Sequence, residues 1–159
     1  MLDVTIHYIN IRIILTYMDC CKQTNGPNFR ANRRIQEKIE RYMMVDPGVH
    51  LVCLGDFNGR VKALEPRIET DPNGKMNKHW VNTHGMHHLN QSGACTGTYT
   101  YGRPGKPRSA IDLIMVDTLM EQKYRGMDVN ENGEQLNISD HNLIRSWYRI
   151  SHDEKTKWE

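Results

Sequence analysis

Val49-His50-Leu51-Val52-Cys53-Leu54 runs without a break into Gly55-Asp56-Phe57-Asn58. A short run this rich in apolar residues suits a strand covered on both faces, which is the mark of layered α/β proteins. Gly55 lets the backbone turn at the exit, and strand alternation then puts Asp56 and Asn58 on one side with Phe57 towards the core. A carboxylate and an amide are delivered together at a strand end, where open α/β sheets place their chemistry. The bland alternative for the same tetrapeptide is an Asx turn at a strand exit.

Working upstream, Asp46-Pro47-Gly48 stops an amphipathic helix in which Phe29, Ile35, Ile39 and Met43 recur at roughly helical spacing. Its cations Arg30, Arg33, Arg34, Lys38 and Arg41 read as a solvated face. Asn25-Gly26-Pro27 marks the turn before it, and a hairpin comes first, with Leu2, Val4, Ile6 and Tyr8 alternating and a second apolar run over 11–17. Downstream, Met76, Trp80, Val81 and His84 fit a short helix, while Pro66, Pro72, Asn73 and Gly74 read as loops. Residues 96–101 and 109–116 read as strands joined by the loop 102–108, and 143–150 as a last strand. The methionines are core filler. One domain over 1–150 with a charged, frayed tail over 151–159 accounts for the whole chain.

At 159 residues the chain can bury about 70% of its unfolded surface. A net charge of +2 with a pI near 8.3 is too mild to coat nucleic acid by charge alone, so a nucleic-acid function has to rest on a site. Cys20, Cys21, Cys53 and Cys95 lack the paired spacing of a zinc ribbon and read as free thiols of a reducing compartment. Asp3 stands where a leader would be positive, and no apolar run approaches the ~20 residues of a membrane span, so a soluble intracellular protein is expected.

Two further clusters carry chemistry. In Ser109-Ala110-Ile111-Asp112-Leu113-Ile114-Met115-Val116 one carboxylate sits in an otherwise apolar strand. A buried unpaired charge costs several kcal/mol, so Asp112 wants a cationic or hydrogen-bonding partner unless it faces outward on an edge. Ser139-Asp140-His141-Asn142 precedes the last apolar run and supplies that partner. If Asp112 accepts from the His141 ring, the imidazole is fixed in orientation with a donor left over for a phosphate oxygen, and Asp140 is free for a hard cation. Taken alone, the same residues would form a solvated turn.

In this order, Gly55-Asp56-Phe57-Asn58, Ser109-x-Ile111-Asp112 and Ser139-Asp140-His141 resemble the motifs of the endonuclease/exonuclease/phosphatase family. The stretch Gly97-Thr98-Tyr99-Thr100-Tyr101 before the Ile-Asp strand makes the likeness greatest to the endonucleases of non-LTR retrotransposons. The resemblance implies a partial four-layered α/β sandwich of the DNase I-like type, lacking its N-terminal strands. It implies a Mg2+-dependent, or Mn2+-dependent, nuclease that nicks DNA. Asp56 would orient and deprotonate water, Asn58 and Tyr17 would hold the phosphate, His141 with Asp112 would stabilise phosphoryl charge, and Asp140 would bind the metal. Thr100, Ser139, Arg103 and Arg108 would contact substrate, with Lys106 in the same basic loop. Tyr17 reads equally well as a core aromatic ending a strand.

The family's main metal ligands, an Asn and a Glu well upstream of Tyr17, have no counterpart in the chain. Weak cation binding and little nuclease activity are therefore expected of it, with a nuclear location and an attached reverse transcriptase in the parent protein. Three other readings stay open. One is a same-fold phosphatase, sphingomyelinase or deadenylase, and another is a catalytically inactive remnant or scaffold. The third is a zinc module built from His84, His87, His88 and Cys95.

Overall fold

The computed structural model describes residues 1–103, 107–131 and 139–150. Strands β1 (Leu2–Ile6) and β2 (Ile9–Tyr17) form the expected hairpin, paired from Leu2↔Ile13 to Ile6↔Ile9. Tyr8, expected in the first strand, instead sits with His7 in a two-residue turn, both at positive φ, 66° and 48°. That left-handed pair is the turn whose twist matches a hairpin. Helix α1 (Pro27–Val45) then returns the chain so that β3 (Val49–Asp56) lies parallel to β2.

Helix α2 is Pro72–His84. Pro72, Asn73 and Gly74, expected in a loop, are its first turn, because Asp71 caps it by accepting from Gly74 N at 2.7 Å and proline is well suited to a first helical position. Strand β4 (His87–His88) and the 3₁₀ turn Leu89–Gln91 follow. Next come β5 (Cys95–Thr96), β6 (Asp112–Val116), α3 (Thr118–Lys123), β7 (Tyr124–Val129) and β8 (Ile144–Tyr148). The strand expected over 96–101 is thus only two residues of β5 plus an isolated bridge from Tyr101 to Ser109. Of the tail, 151–159, everything lies outside the described residues.

The order β1-β2-β3-β6-β4 makes a five-stranded sheet, and β5-β7-β8 a second one. As expected, β3 is covered on both faces. Leu51 and Cys53 pack with Ile14, Ile39, Met76 and Trp80 under α1 and α2. Val52 packs with Ile11, Ile114, Val116, Met127 and Val129 between the sheets. A helical layer, the large sheet and the small sheet therefore stack as an α/β sandwich of the DNase I-like type. No helix among the described residues is long and apolar enough to cross a membrane.

His88, on β4, breaks the rule that buried polar atoms find partners. Both its ring nitrogens are buried without a hydrogen bond. Burial pushes its pKa down from the ordinary imidazole value of 6.5 to about 4. Between those values the unfolded chain binds the proton and the folded chain does not. Stability is therefore fully present above pH 6.5 and falls by about 3 kcal/mol as pH drops towards 4. Denaturant unfolding at a series of pH values should show that component vanish in His88→Leu, and an unchanged slope between pH 6.5 and 4 would refute it.

Candidate active site

The site lies at the end of the large sheet where β2 and β3 finish. Register pairs Tyr17 with Asp56 and Asp56 with Asp112, so the three stand in a row across adjacent strands. All three point to the face that lower down packs against the second sheet, since Ile11, Val52 and Ile114 share their alternation. Gly55 makes the row possible: at φ 138° it presses on β2, and a Cβ there would lie 2.0 Å from the Thr16 carbonyl oxygen. Like charges directly opposite on neighbouring strands repel. Asp56 and Asp112 therefore need a cation.

A hydrogen-bonding partner for Asp112 comes from the end of the 139–142 segment. His141 Nδ1 lies 2.9 Å and 3.1 Å from the two Asp112 carboxylate oxygens. The expected partner of Asp112 is in place, half-buried. What delivers the histidine is the threonine-rich stretch. Asn142 N donates to Thr100 O at 2.7 Å, Asn142 Nδ2 to Tyr99 O at 2.7 Å, and Gly102 N to Asp140 O at 2.9 Å. The Tyr101 ring meets the imidazole edge-on at 5.1 Å.

Asp56 is held from the other side. Its Oδ1 accepts from Asn58 N at 2.8 Å and its Oδ2 from Asn58 Nδ2 at 3.1 Å. Burial holds the Asp56 carboxyl above the ordinary carboxylate range; the Asn58 amide opposes this and the Asp112 charge adds to it. Asp56, Asp112 and His141 each bring one ligand atom within 4.8 Å of the others, the one such group of His, Cys, Asp or Glu among the described residues. Two carboxylates facing each other with a single imidazole in contact fit a hard divalent cation.

Several expected roles shift. Thr100, expected to contact substrate, is fully buried, and its Oγ1 accepts from the amides of Ile111 and Asp112 at 3.0 Å and 2.9 Å. It seats the start of the Asp112 strand from within the core. Asn58, at φ 42°, lines the cleft and spends its amide hydrogens on Met18 O at 2.8 Å and on Asp56, which it orients. Ser139 accepts from His141 N at 3.1 Å. Asp140 is bound by Arg103 Nε at 2.6 Å, which holds its carboxyl below the usual range, and it stands outside the three-residue group. Arg108 faces Glu131 at 3.6 Å and lines a separate hollow with Arg67 and Tyr99. Lys106 lies outside the described residues.

Tyr17 is 67% exposed and lines the cleft, which removes the core reading. The zinc reading finds no support. His84 pairs with Glu40, His87 with Thr118, and no zinc-like group forms among the described residues. The thiols are all free; Cys20 is exposed on the cleft, and Cys21, Cys53 and Cys95 are raised by burial, Cys53 to about 12.

Two residues that brace the site were not singled out for it from the sequence. Asn32 and Asn73 are fully buried and bonded to each other, Asn32 Nδ2 donating to Asn73 Oδ1 at 3.0 Å. Asn73 Nδ2 reaches Asp19 O, Phe57 O and Asn58 O at 2.9, 3.2 and 3.0 Å. Asn32 exchanges bonds with the Asp19 backbone, accepting from N at 2.9 Å and donating to O at 2.7 Å. The pair thus ties the loop after β2 to the loop after β3. A sequence signal exists for Asn32, which falls in the apolar stripe of α1 three residues from both Phe29 and Ile35.

No family model and no curated protein matches the chain. Solved structures do. The chain is similar to the 3′ phosphatase NExo from Neisseria, solved bound to a product DNA hairpin, at TM-score 0.69 and 18% identity over 92% of this chain and 63% of that one. It is similar to the endonuclease domain of TRAS1, a telomere-specific non-LTR retrotransposon, at TM-score 0.67 and 21% identity over 93% of this chain and 60% of that one. An endonuclease/exonuclease/phosphatase family protein from Leptotrichia buccalis matches at TM-score 0.64 and 14% identity over 93% and 52%. The chain spans less than two thirds of the length of each.

Proposed function

We propose that this chain, which has the fold of endonuclease/exonuclease/phosphatase structures, carries the catalytic row of a divalent-cation-dependent phosphodiesterase that nicks DNA. The observation that carries the reading is the Asp56–Asp112–His141 group within 4.8 Å at a strand end. The unit responsible is 1–150. Asp56, raised by burial and steered by Asn58, takes the proton of the attacking water. His141, oriented by Asp112, presents its Nε2 side to the phosphoryl oxygens, and Tyr17 flanks the phosphate from the open side of the row. Asp56 and Asp112 are the hard oxygen donors that would hold Mg2+ or Mn2+, with Asp140 joining when Arg103 releases it. A bound cation supplies positive charge to the phosphoryl group and the leaving oxygen.

With so few carboxylates committed to one ion, weak cation binding and slow turnover are expected. A supercoiled plasmid suits this, because one nick converts a whole molecule and a circle offers no ends. Relaxed circles should accumulate slowly in Mg2+ or Mn2+ and not in excess chelator. Nicking that persists in chelator would sink the assignment. Release confined to linear ends or 3′ phosphates would move it to the end-acting enzymes that share the fold.

A further inference from the structure

We infer that Lys22 and Arg60 form a second phosphate subsite beside the row, which makes a polynucleotide strand rather than a small phosphate ester the substrate of this site. The inference rests on the reading above. Both residues line the cleft of about 720 Å3 that contains Tyr17, Asp56 and His141. Neither has a carboxylate within ion-pair distance among the described residues, although the cleft is rich in acid.

The acids are already committed. Asp112 holds His141, Asp140 holds Arg103, Glu69 holds Lys62 at 2.9 Å, and Asp71 caps α2. Asp56 is occupied by Asn58. Among the described residues, these two cations of the cleft lining are left without a carboxylate at ion-pair distance. That is the arrangement by which cations take up backbone phosphates.

Both are carried on braced backbone. Arg60 is the second residue after Asn58, and its carbonyl oxygen is pressed against the first turn of α2, where a Cβ on Gly74 would lie 2.0 Å from it. Asp71 N donates to the same oxygen at 3.3 Å. Lys22 follows Asp19, whose backbone carbonyl both asparagines bond, and Cys21, whose sulfur lies 3.2 Å from Asn32 Nδ2. One asparagine pair thus holds both loops that bear the unpaired cations. A scissile phosphate on the row would place its neighbour along the strand at these loops, whereas a phosphomonoester of a small alcohol would leave them unused.

The test is binding of a 20-base-pair DNA duplex to the full chain in excess chelator, as a function of salt, so that hydrolysis plays no part. Lys22→Ala/Arg60→Ala should weaken binding on the order of tenfold at 0.1 M salt and lower the slope of log K against log salt by about 2. Lys22→Arg/Arg60→Lys should restore the slope, which answers any concern over folding. Arg34→Ala/Lys38→Ala, on the exposed face of α1, removes the same charge elsewhere and should leave the slope as it was. An unchanged slope in the first variant, an equal fall in the α1 variant, or no binding by the parent chain would each overturn the subsite. Because no cation or turnover is involved, loss of nicking leaves this result standing, and intact nicking does not rescue it.

Discussion

Asp112→Asn should slow plasmid nicking on the order of 10²- to 10³-fold while leaving the fold intact. The substitution keeps the side-chain shape and both backbone bonds to Thr100, so the strand end stays seated. It removes the charge that anchors His141 at 2.9 Å. It also removes one of two like charges placed opposite each other in register, Asp56↔Asp112. The lost attraction and the relieved repulsion offset each other, and stability should change by less than about 1 kcal/mol. Nicked circles counted against time, with a thermal melt alongside, separate the outcomes. A rate within threefold of the parent chain would remove Asp112 from the mechanism. A collapse in melting temperature would instead make its role architectural.

The second large effect concerns Asn73, and here stability should fall first. Replacing it by Leu keeps nearly the same volume but takes one acceptor from Asn32 Nδ2, which keeps its bond to Asp19 O, and withdraws the donor shared by the carbonyls of Asp19, Phe57 and Asn58. Losing a fully buried set of this kind costs about 4 kcal/mol. Asn73→Asp should be no better, because an acceptor-only group would face three carbonyl oxygens. If Asn73→Leu unfolds in denaturant at the parent midpoint, the asparagine merely fills space and the clamp between the two loops has no energetic content. If it unfolds early, the cleft should also lose affinity for DNA, since both of its walls are released together.

What the sequence could disclose was set by how local each signal is. β3 and its exit were legible because burial on both faces leaves a continuous apolar run, and because Gly55 has to sit against Thr16. Energetics called for a partner to Asp112, since a carboxylate in an apolar strand needs a donor, and the family resemblance pointed to His141 as that partner. The stretch through Thr100 was misread because its bonds are divided among Ser109, the 139–142 segment and Asp112 and form no continuous ladder with one strand. β7 escaped notice because Gly126 and Asp128 blur its alternation, and its register is fixed by strands distant in sequence, β5 and β8. Asn58 and Thr100 look alike on paper, and only the placement of their partners shows that Asn58 bonds the Asp56 carboxylate at the cleft while Thr100 bonds the Asp112 backbone from the core.

The uneven treatment of the four thiols has a practical outcome. Cys53 is sealed under the sheet, Cys21 is tucked against Asn32, and Cys95 is partly covered, whereas Cys20 stands in the open on the rim beside Lys22. A maleimide fluorophore would therefore settle at that rim position without engineering, and its emission would report when a strand slides in.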